Sequence, residues 1–126
     1  MSAGEAGKAA GSHQEGYIPV NTRKETVRVN VGEILYIESE LRIINIYTRC
    51  RAYRFYGKLS DIVKYLNRSF YRCHKSCIIN LDQIIRMEDG VFYFNDGMTL
   101  RVGQNNYRHT RNQYIRYLEQ NATTFP

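Results

Sequence analysis

Three polar side chains able to grip a nucleic acid lie close together in the middle of the chain: Arg72, His74 and Lys75. Guanidinium and ammonium groups bind phosphate oxygens, and both can also donate to the acceptors of guanine in the major groove. The apolar run Cys77-Ile78-Ile79 follows and favours burial. One stretch thus presents donors and anchors them in a core, as rigid base reading requires. The same pattern fits an ordinary strand with a basic, solvated face.

The net charge of +6, with a pI of about 9.3, is unevenly distributed along the chain. Residues 40–76 contain nine lysines and arginines against two acidic residues, a balance of +7. Residues 77–97 contain one arginine against four acidic residues, and residues 98–120 contain four arginines against one glutamate. This alternation is expected when some elements face a polyanion and one hairpin points away. A solvated basic surface without a partner is the alternative.

Basic and aromatic residues also interleave between residues 42 and 56. The runs 42–48 and 51–56 predict two strands, and the short turn Arg49-Cys50 between them indicates a hairpin. One interpretation is a phosphate-gripping face that includes Arg49 and Arg51. The other is a pair of strands with inward aromatic side chains and solvated arginines. This hairpin alone leaves both interpretations open.

The motifs of common enzyme classes are absent from the sequence. It contains no glycine-rich nucleotide-binding loop and no nucleophile elbow. Cys73 and His74 are adjacent, but neighbouring strand residues point to opposite faces, so they are poorly placed to form a catalytic pair. The acidic residues cluster in turns, where paired acid–base catalysis is not expected. We therefore expect neither an enzyme nor a cofactor.

The cysteines Cys50, Cys73 and Cys77 make an odd count, and no secretory signal opens the chain. This favours free thiols in a reducing compartment. The C-x3-C spacing of the last two is not completed by other ligands, so no metal site is expected. No apolar run approaches membrane-spanning length. We expect a cytoplasmic protein, in which Cys73 could be a redox-sensitive thiol with Cys77 as its evident partner.

Hydrophobic patterns predict mainly β structure. Strands are predicted at 17–20, 25–31, 34–39, 42–48, 51–56, within 70–80, and at 84–87, 91–94 and 98–102. They follow one another in hairpins and do not alternate with helices. This excludes a doubly wound fold and favours about ten short, mostly antiparallel strands.

Two helices are predicted between and after the strands. The first covers residues 58–66, with an apolar stripe of Leu59, Ile62, Val63 and Leu66. Residues 103–106 are predicted as a polar loop that leads into a second helix from about 107 to 120. The buried side of that helix is predicted to hold Tyr107, Arg111, Tyr114, Ile115 and Leu118.

The termini differ from the middle in composition. Residues 1–16 are rich in glycine and alanine and predict a disordered leader or linker stump. Residues 17–120 are expected to form one folded domain, and residues 121–126 a flexible tail.

From about Tyr17 to Leu118 the chain resembles the LytTR DNA-binding domain of bacterial transcription regulators. Three landmarks carry the resemblance: residues 33–39 (EILYIES), residues 55–59 (FYGKL) and residues 70–80 (FYRCHKSCIIN). The third is the most specific. Residues 100–103 (LRVG) then enter a loop and a helix where the family has them.

The resemblance implies an elongated, mainly β fold of small sheets with one short internal helix and a C-terminal helix. It implies sequence-specific binding of double-stranded DNA through loops and strand ends in the major groove. Family members usually bind paired direct repeats, which allows a dimer on DNA, and many follow an upstream receiver module. A β-rich interaction module for an acidic protein or an RNA is the alternative function.

The family's contacts can be carried over by position. Base reading is assigned by this resemblance to Arg42, Lys75, Gln104 and Asn105. Phosphate binding is assigned to Arg72, His74, Ser76, Arg49, Arg51 and Arg108. The chain departs from the family at the last loop, where Gly103-Gln104 replaces the usual Ser-Arg pair. Glutamine pairs with adenine and arginine with guanine, so the preferred site is expected to differ there.

Overall fold

The computed structural model describes residues 16–122. In this range the chain forms ten strands, a short internal helix and a long C-terminal helix. The strands are β1 Tyr17–Asn21, β2 Thr26–Asn30, β3 Ile34–Glu40, β4 Ile43–Thr48, β5 Ala52–Tyr56, β6 Phe70–His74, β7 Cys77–Asn80, β8 Ile84–Glu88, β9 Val91–Phe94 and β10 Thr99–Arg101. The internal helix is Leu59–Ile62 and the C-terminal helix is Gln104–Asn121.

The strands form three antiparallel sheets. β1 pairs with β2, β8 to β10 form a three-stranded sheet, and the central sheet has the order β5-β4-β3-β7-β6. This confirms the predicted mainly β fold of small sheets with two helices. The leader predicted at residues 1–16 lies outside the described residues except for Gly16. The tail predicted at 121–126 lies outside them beyond Ala122, and Asn121 ends the helix.

Turn chemistry explains where the chain reverses. The turn between β8 and β9 holds Asp89 and Gly90, both with positive φ (49° and 80°). Asp-Gly favours this left-handed pair, which matches the twist of the flanking strands. The sequence prediction of a hairpin at this turn is therefore confirmed.

The central sheet separates two hydrophobic cores. The first lies between one face of the sheet, the β1–β2 hairpin and the internal helix, and its buried members include Ile37, Ile44 and Ile46. The second lies between the opposite face, the β8–β10 sheet and the C-terminal helix, and includes Ile79 and Phe92. Strand residues alternate between the cores because successive side chains point to opposite faces.

The internal helix is shorter than predicted. It ends at Ile62 and continues as a 3₁₀ turn over Val63–Tyr65. Tightening to three residues per turn rotates the following side chains away from the α-helical stripe. Leu59 and Ile62 are buried as predicted, whereas Val63 is exposed.

The C-terminal helix begins earlier than predicted and buries a different face. Gly103 is its N-cap and accepts a hydrogen bond from Tyr107 N–H, so residues 104–106 form the first turn instead of a loop. Tyr114 is buried as predicted, but Ile115 and Leu118 are exposed. Tyrosine hydroxyls decide the rotation: Tyr114 Oη donates to Ile84 O at 2.6 Å and Tyr117 Oη to Asp82 Oδ1 at 2.6 Å.

Candidate nucleic-acid interface

Two hairpin tips project side by side from one end of the central sheet. The stretch 70–80, predicted as one basic strand edge, is a hairpin whose two-residue tip is Lys75-Ser76. The other tip is Leu41-Arg42, between β3 and β4. The tips are neighbours because β3 pairs with β7 and Ser39 N donates to Ser76 O at 2.9 Å.

The β6–β7 tip is held by its own polar side chains. The Arg72 Nη2 group donates to Lys75 O. His74 Nδ1 lies 3.0 Å from Ser76 Oγ and accepts from Ser76 N at 3.1 Å. Within residues 16–122 the Lys75 ammonium has no hydrogen bond or ion pair, and the side chain is exposed. The predicted phosphate ligands therefore also fix the turn that presents Lys75.

Asn80 anchors the other end of this hairpin inside the protein. Its side chain is buried, and Nδ2 donates to Ile34 O at 2.8 Å. Its Oδ1 accepts from Ser69 Oγ at 2.8 Å and from Asp82 N at 3.0 Å. One amide thus joins β7, β3 and the segment that enters β6. Sequence reasoning missed this role, because an asparagine at a strand end looks like a turn residue.

A bulge in β6 turns Cys73 inward. Arg72 pairs with Ile78 and His74 with Cys77, which leaves Cys73 as the extra residue. Cys73 is buried with its Sγ 3.7 Å from Cys77 O, whereas His74 is exposed. The side-chain hydrogen bond with Cys73, together with burial, raises the pKa of Cys77. Both thiols are therefore shielded beneath the tip.

Thiol labelling tests this arrangement. Cys50 is exposed, whereas Cys73 and Cys77 are buried. Iodoacetamide is expected to label one thiol rapidly in the folded chain and all three in denaturant, because alkylation needs an accessible thiolate. Intact-mass spectrometry over time counts the labels, and Cys50→Ser should remove the fast one. Rapid labelling of Cys73 or Cys77 in the folded Cys50→Ser variant would show that these two thiols are not buried.

The start of the C-terminal helix lies beside the two tips. A cleft of about 450 Å³ is lined by His74 and Ser76 on one side and by Leu100–Gly103 and Asn106 on the other. Gln104 and Asn105 occupy the first helical turn, where no side chain caps the backbone. The first-turn N–H groups of a helix lack intrahelical acceptors and favour anions. Arg108 Nη1 donates to Asn105 Oδ1 at 3.3 Å, so these two predicted DNA contacts are hydrogen-bonded to each other.

Acidic residues that sequence reasoning did not select also line the cleft. Glu38 and Glu40 lie on its β3 wall, opposite Arg101. Burial, with a smaller contribution from Glu40, raises the pKa of Glu38. Carboxylates accept hydrogen bonds from cytosine amino groups and repel phosphates. Because Glu38 and Glu40 are two residues apart in β3, the sequence could have predicted that they share one face of the sheet. It could not predict that this part of the face lines a cleft instead of being covered.

The structure does not bring Arg49 and Arg51 to the tips. They lie in the β4–β5 turn, at the opposite end of the sheet, roughly 15–20 Å away for a six-residue strand. Arg51 is bound by both carboxylate oxygens of Glu25, at 2.7 and 3.2 Å, and stacks over Tyr53 at 4.0 Å. This ion pair lowers the pKa of Glu25. Tyr47 and Tyr53, which lie next to this turn, are half-buried, which favours the solvated-arginine interpretation at that end.

The sequence profile of the LytTr DNA-binding domain matches residues 24–118, about three quarters of the chain. The chain belongs to the LytTr DNA-binding domain family. The matched range contains both hairpin tips and the start of the C-terminal helix. LytTr domains are a DNA-binding family and not an enzyme family, so DNA binding is the activity to explain.

A solved LytTr structure shares the fold. It is the LytTr DNA-binding domain of a Bacillus cereus protein described as a methyl-accepting/DNA response regulator. The TM-score is 0.65 at 18% sequence identity, over 80% of this chain and 97% of that chain. At this identity the likeness concerns the fold. No curated protein matches the sequence.

Residues 16–122 of this LytTr chain lack two further features. Neither of its helices between residues 16 and 122 is long and apolar enough to cross a membrane. The same residues contain no cluster of three histidine, cysteine or acidic side chains that could hold a metal ion.

Proposed function

We propose that this LytTr domain binds double-stranded DNA sequence-specifically, with its two tips and the start of the C-terminal helix in the major groove. The observation that carries the proposal is one cleft beside the two neighbouring tips. It is lined by Ser76 of the β6–β7 tip, by Glu40 next to the Leu41-Arg42 tip, and by Gly103 and Asn106 at the start of the C-terminal helix. Each segment presents a basic or amide side chain. The major groove is about 12 Å wide and admits a two-stranded β-ribbon, so a two-residue hairpin tip can enter it.

The structure supports distinct roles for the side chains. We assign base reading to Arg42 and Lys75, whose charged groups have no side-chain partner within residues 16–122, and to Gln104 and Asn105. Phosphate binding is assigned to Arg72, His74, Ser76 and Arg108, which flank the readers. Arg72 and His74 act twice, because they also fix the β6–β7 tip. Arg49 and Arg51 are left out of this interface, since they lie at the far end.

The biological setting follows from this proposal. Sequence-specific binding by a LytTr domain serves transcription regulation, and the chain is proposed to act in the cytoplasm on paired direct repeats. Two copies would then occupy one operator. An upstream sensory or receiver module would supply the regulating signal. The Bacillus cereus protein with the same fold is described as a methyl-accepting/DNA response regulator.

In-vitro selection from a random duplex library tests the proposal. We expect a preferred duplex that binds at least about 1,000-fold tighter than random duplex, the range of specific protein–DNA complexes. Binding should weaken steeply with salt, because phosphate contacts release counterions. Fluorescence anisotropy with competitor duplexes measures both effects.

Competitors distinguish the alternative function. An acidic protein or RNA partner predicts that polyglutamate or a structured RNA displaces the protein as well as any duplex does. If random duplex competes equally with every selected duplex, sequence-specific DNA binding is wrong for this chain.

A further inference from the structure

Leu41 combines two unfavourable features at the β3–β4 tip. Its side chain is 97% exposed, the largest exposure among the large apolar side chains of the described residues. Its backbone has a φ of 58°, in the left-handed region that disfavours bulky residues. Asparagine or glycine would suit this conformation better and would expose no apolar surface. An exposed, strained residue of this kind justifies a functional hypothesis.

The tip holds Leu41 rigidly away from the protein. The last paired residues before the turn are Glu40 and Ile43, and Gly57 N donates to Arg42 O at 2.9 Å. Leu41 is not a member of either hydrophobic core. Because β3 pairs with β7, it projects from the same end of the sheet as Lys75.

The surroundings of Leu41 fit a small apolar target. Its sequence neighbours Glu40 and Arg42 are both charged and exposed. A protein-docking surface would need a contiguous apolar patch. Leu41 stands between two charges, and the exposed ring at this end of the sheet, Tyr56 opposite Ile43, ends in a hydroxyl. In the major groove the apolar feature of a base edge is the C5-methyl group of thymine. One branched alkyl side chain matches one methyl group.

We propose that Leu41 is a specificity-determining residue that contacts a thymine methyl group in the major groove. The proposal rests on the proposed function, because it places the tip in that groove. Arg42 and Lys75 read hydrogen-bond acceptors, whereas Leu41 reads a methyl group by excluding water from it. The operator is then expected to contain a required thymine next to the base pair that Arg42 contacts.

Methyl scanning tests this contact. In the selected operator each thymine is replaced singly by deoxyuridine, which lacks only the methyl group. Binding of the unmodified protein is expected to fall by about three- to fivefold at one thymine, the effect of burying one methyl group. The Leu41→Ala variant should bind the normal operator about three- to fivefold more weakly and show no further loss with deoxyuridine at that position.

Two variants control for folding and for apolar surface in general. Leu41→Asn suits the positive φ, so it should fold at least as stably and still lose the response to deoxyuridine. Leu118→Ala removes an exposed leucine from the C-terminal helix and should keep the full response. Circular dichroism confirms folding of each variant.

The outcomes separate this inference from the function on which it rests. Failure to select any preferred duplex overturns the DNA-reading proposal itself. If a preferred duplex is found, the inference is overturned when no thymine responds to deoxyuridine. It is equally overturned when Leu41→Ala responds as the unmodified protein does, as it would if Leu41 wedged between base pairs or stayed in solvent.

Discussion

Lys75→Ala is expected to weaken binding to the selected operator by about 10- to 100-fold, because a good contact to guanine discriminates by about 1–3 kcal/mol. Binding to random duplex should fall only about threefold, since one charge near phosphates is lost. The expectation rests on the exposed ammonium at the β6–β7 tip, which has no partner within residues 16–122, and on the turn held by Arg72 and His74. Fluorescence anisotropy on both duplexes measures the two losses.

Two matched variants isolate base reading from charge. Lys24→Ala removes the same charge near the far end, where the adjacent Glu25 binds Arg51, and should change operator binding little. Lys75→Arg keeps the charge, so it should retain random-duplex binding and change the preferred base pair or its strength. Equal losses on operator and random duplex for Lys75→Ala would assign Lys75 to phosphate instead of a base.

Asn80→Ala is expected to lower the free energy of unfolding by about 2–4 kcal/mol. The substitution leaves Ile34 O and the Asp82 N–H without this partner, whereas the Ser69 hydroxyl keeps its hydrogen bond to Asn67 Oδ1 at 2.6 Å. Each buried, unsatisfied polar group costs about 1–3 kcal/mol, although relaxation and water entry recover part of the sum. Urea unfolding monitored by circular dichroism gives the value directly.

A second asparagine serves as the control for Asn80. Asn95 is exposed, so Asn95→Ala should change the free energy of unfolding by less than about 0.5 kcal/mol. At temperatures where the Asn80→Ala variant is still folded, we expect weaker operator binding, because the anchor of the β6–β7 hairpin is loosened. If Asn80→Ala lost no more stability than Asn95→Ala, the Asn80 amide would not be what stabilises the β6–β7 hairpin.

The succession of strands along the chain and part of the first core were predictable because their residue patterns favour one structure. Val29 in β2 and Val31 just after it are buried, as the alternation of residues 25–31 predicted. Asp-Gly at residues 89–90 tolerates the positive φ that a tight hairpin turn requires. In these segments local pattern and tertiary packing agree, so a single sequence is enough.

The failures have other causes. Ile115 and Leu118 are apolar, yet Tyr114 and Tyr117 occupy the buried face because their hydroxyls reach acceptors on another element. Helical periodicity cannot register a partner about 30 residues distant in sequence. The hairpin at Lys75-Ser76 was missed because its tip lacks the glycine, asparagine or aspartate that signals a two-residue hairpin turn.

The candidate site was partly visible in the sequence. Arg72, His74, Lys75 and Ser76 lie within five consecutive residues, so their proximity needs no tertiary information. The convergence of this tip with Leu41-Arg42 depends on the pairing of β3 with β7, which the sequence does not specify. The separation of Arg49 and Arg51 follows from the direction of β4. Basic residues in sequence proximity can therefore lie at opposite ends of one strand.

The position of the reading residues outside both cores has a consequence for how new binding preferences arise. Neither hydrophobic core includes a residue of the two tips or the first two residues of the C-terminal helix. Substitutions at these positions leave the packed interior unchanged, so operator choice can drift while folding is conserved. A library randomised at Leu41, Arg42, Lys75, Gln104 and Asn105 would accordingly yield folded domains with altered operators. In this fold, mutations that change DNA specificity and mutations that change stability therefore fall at different positions.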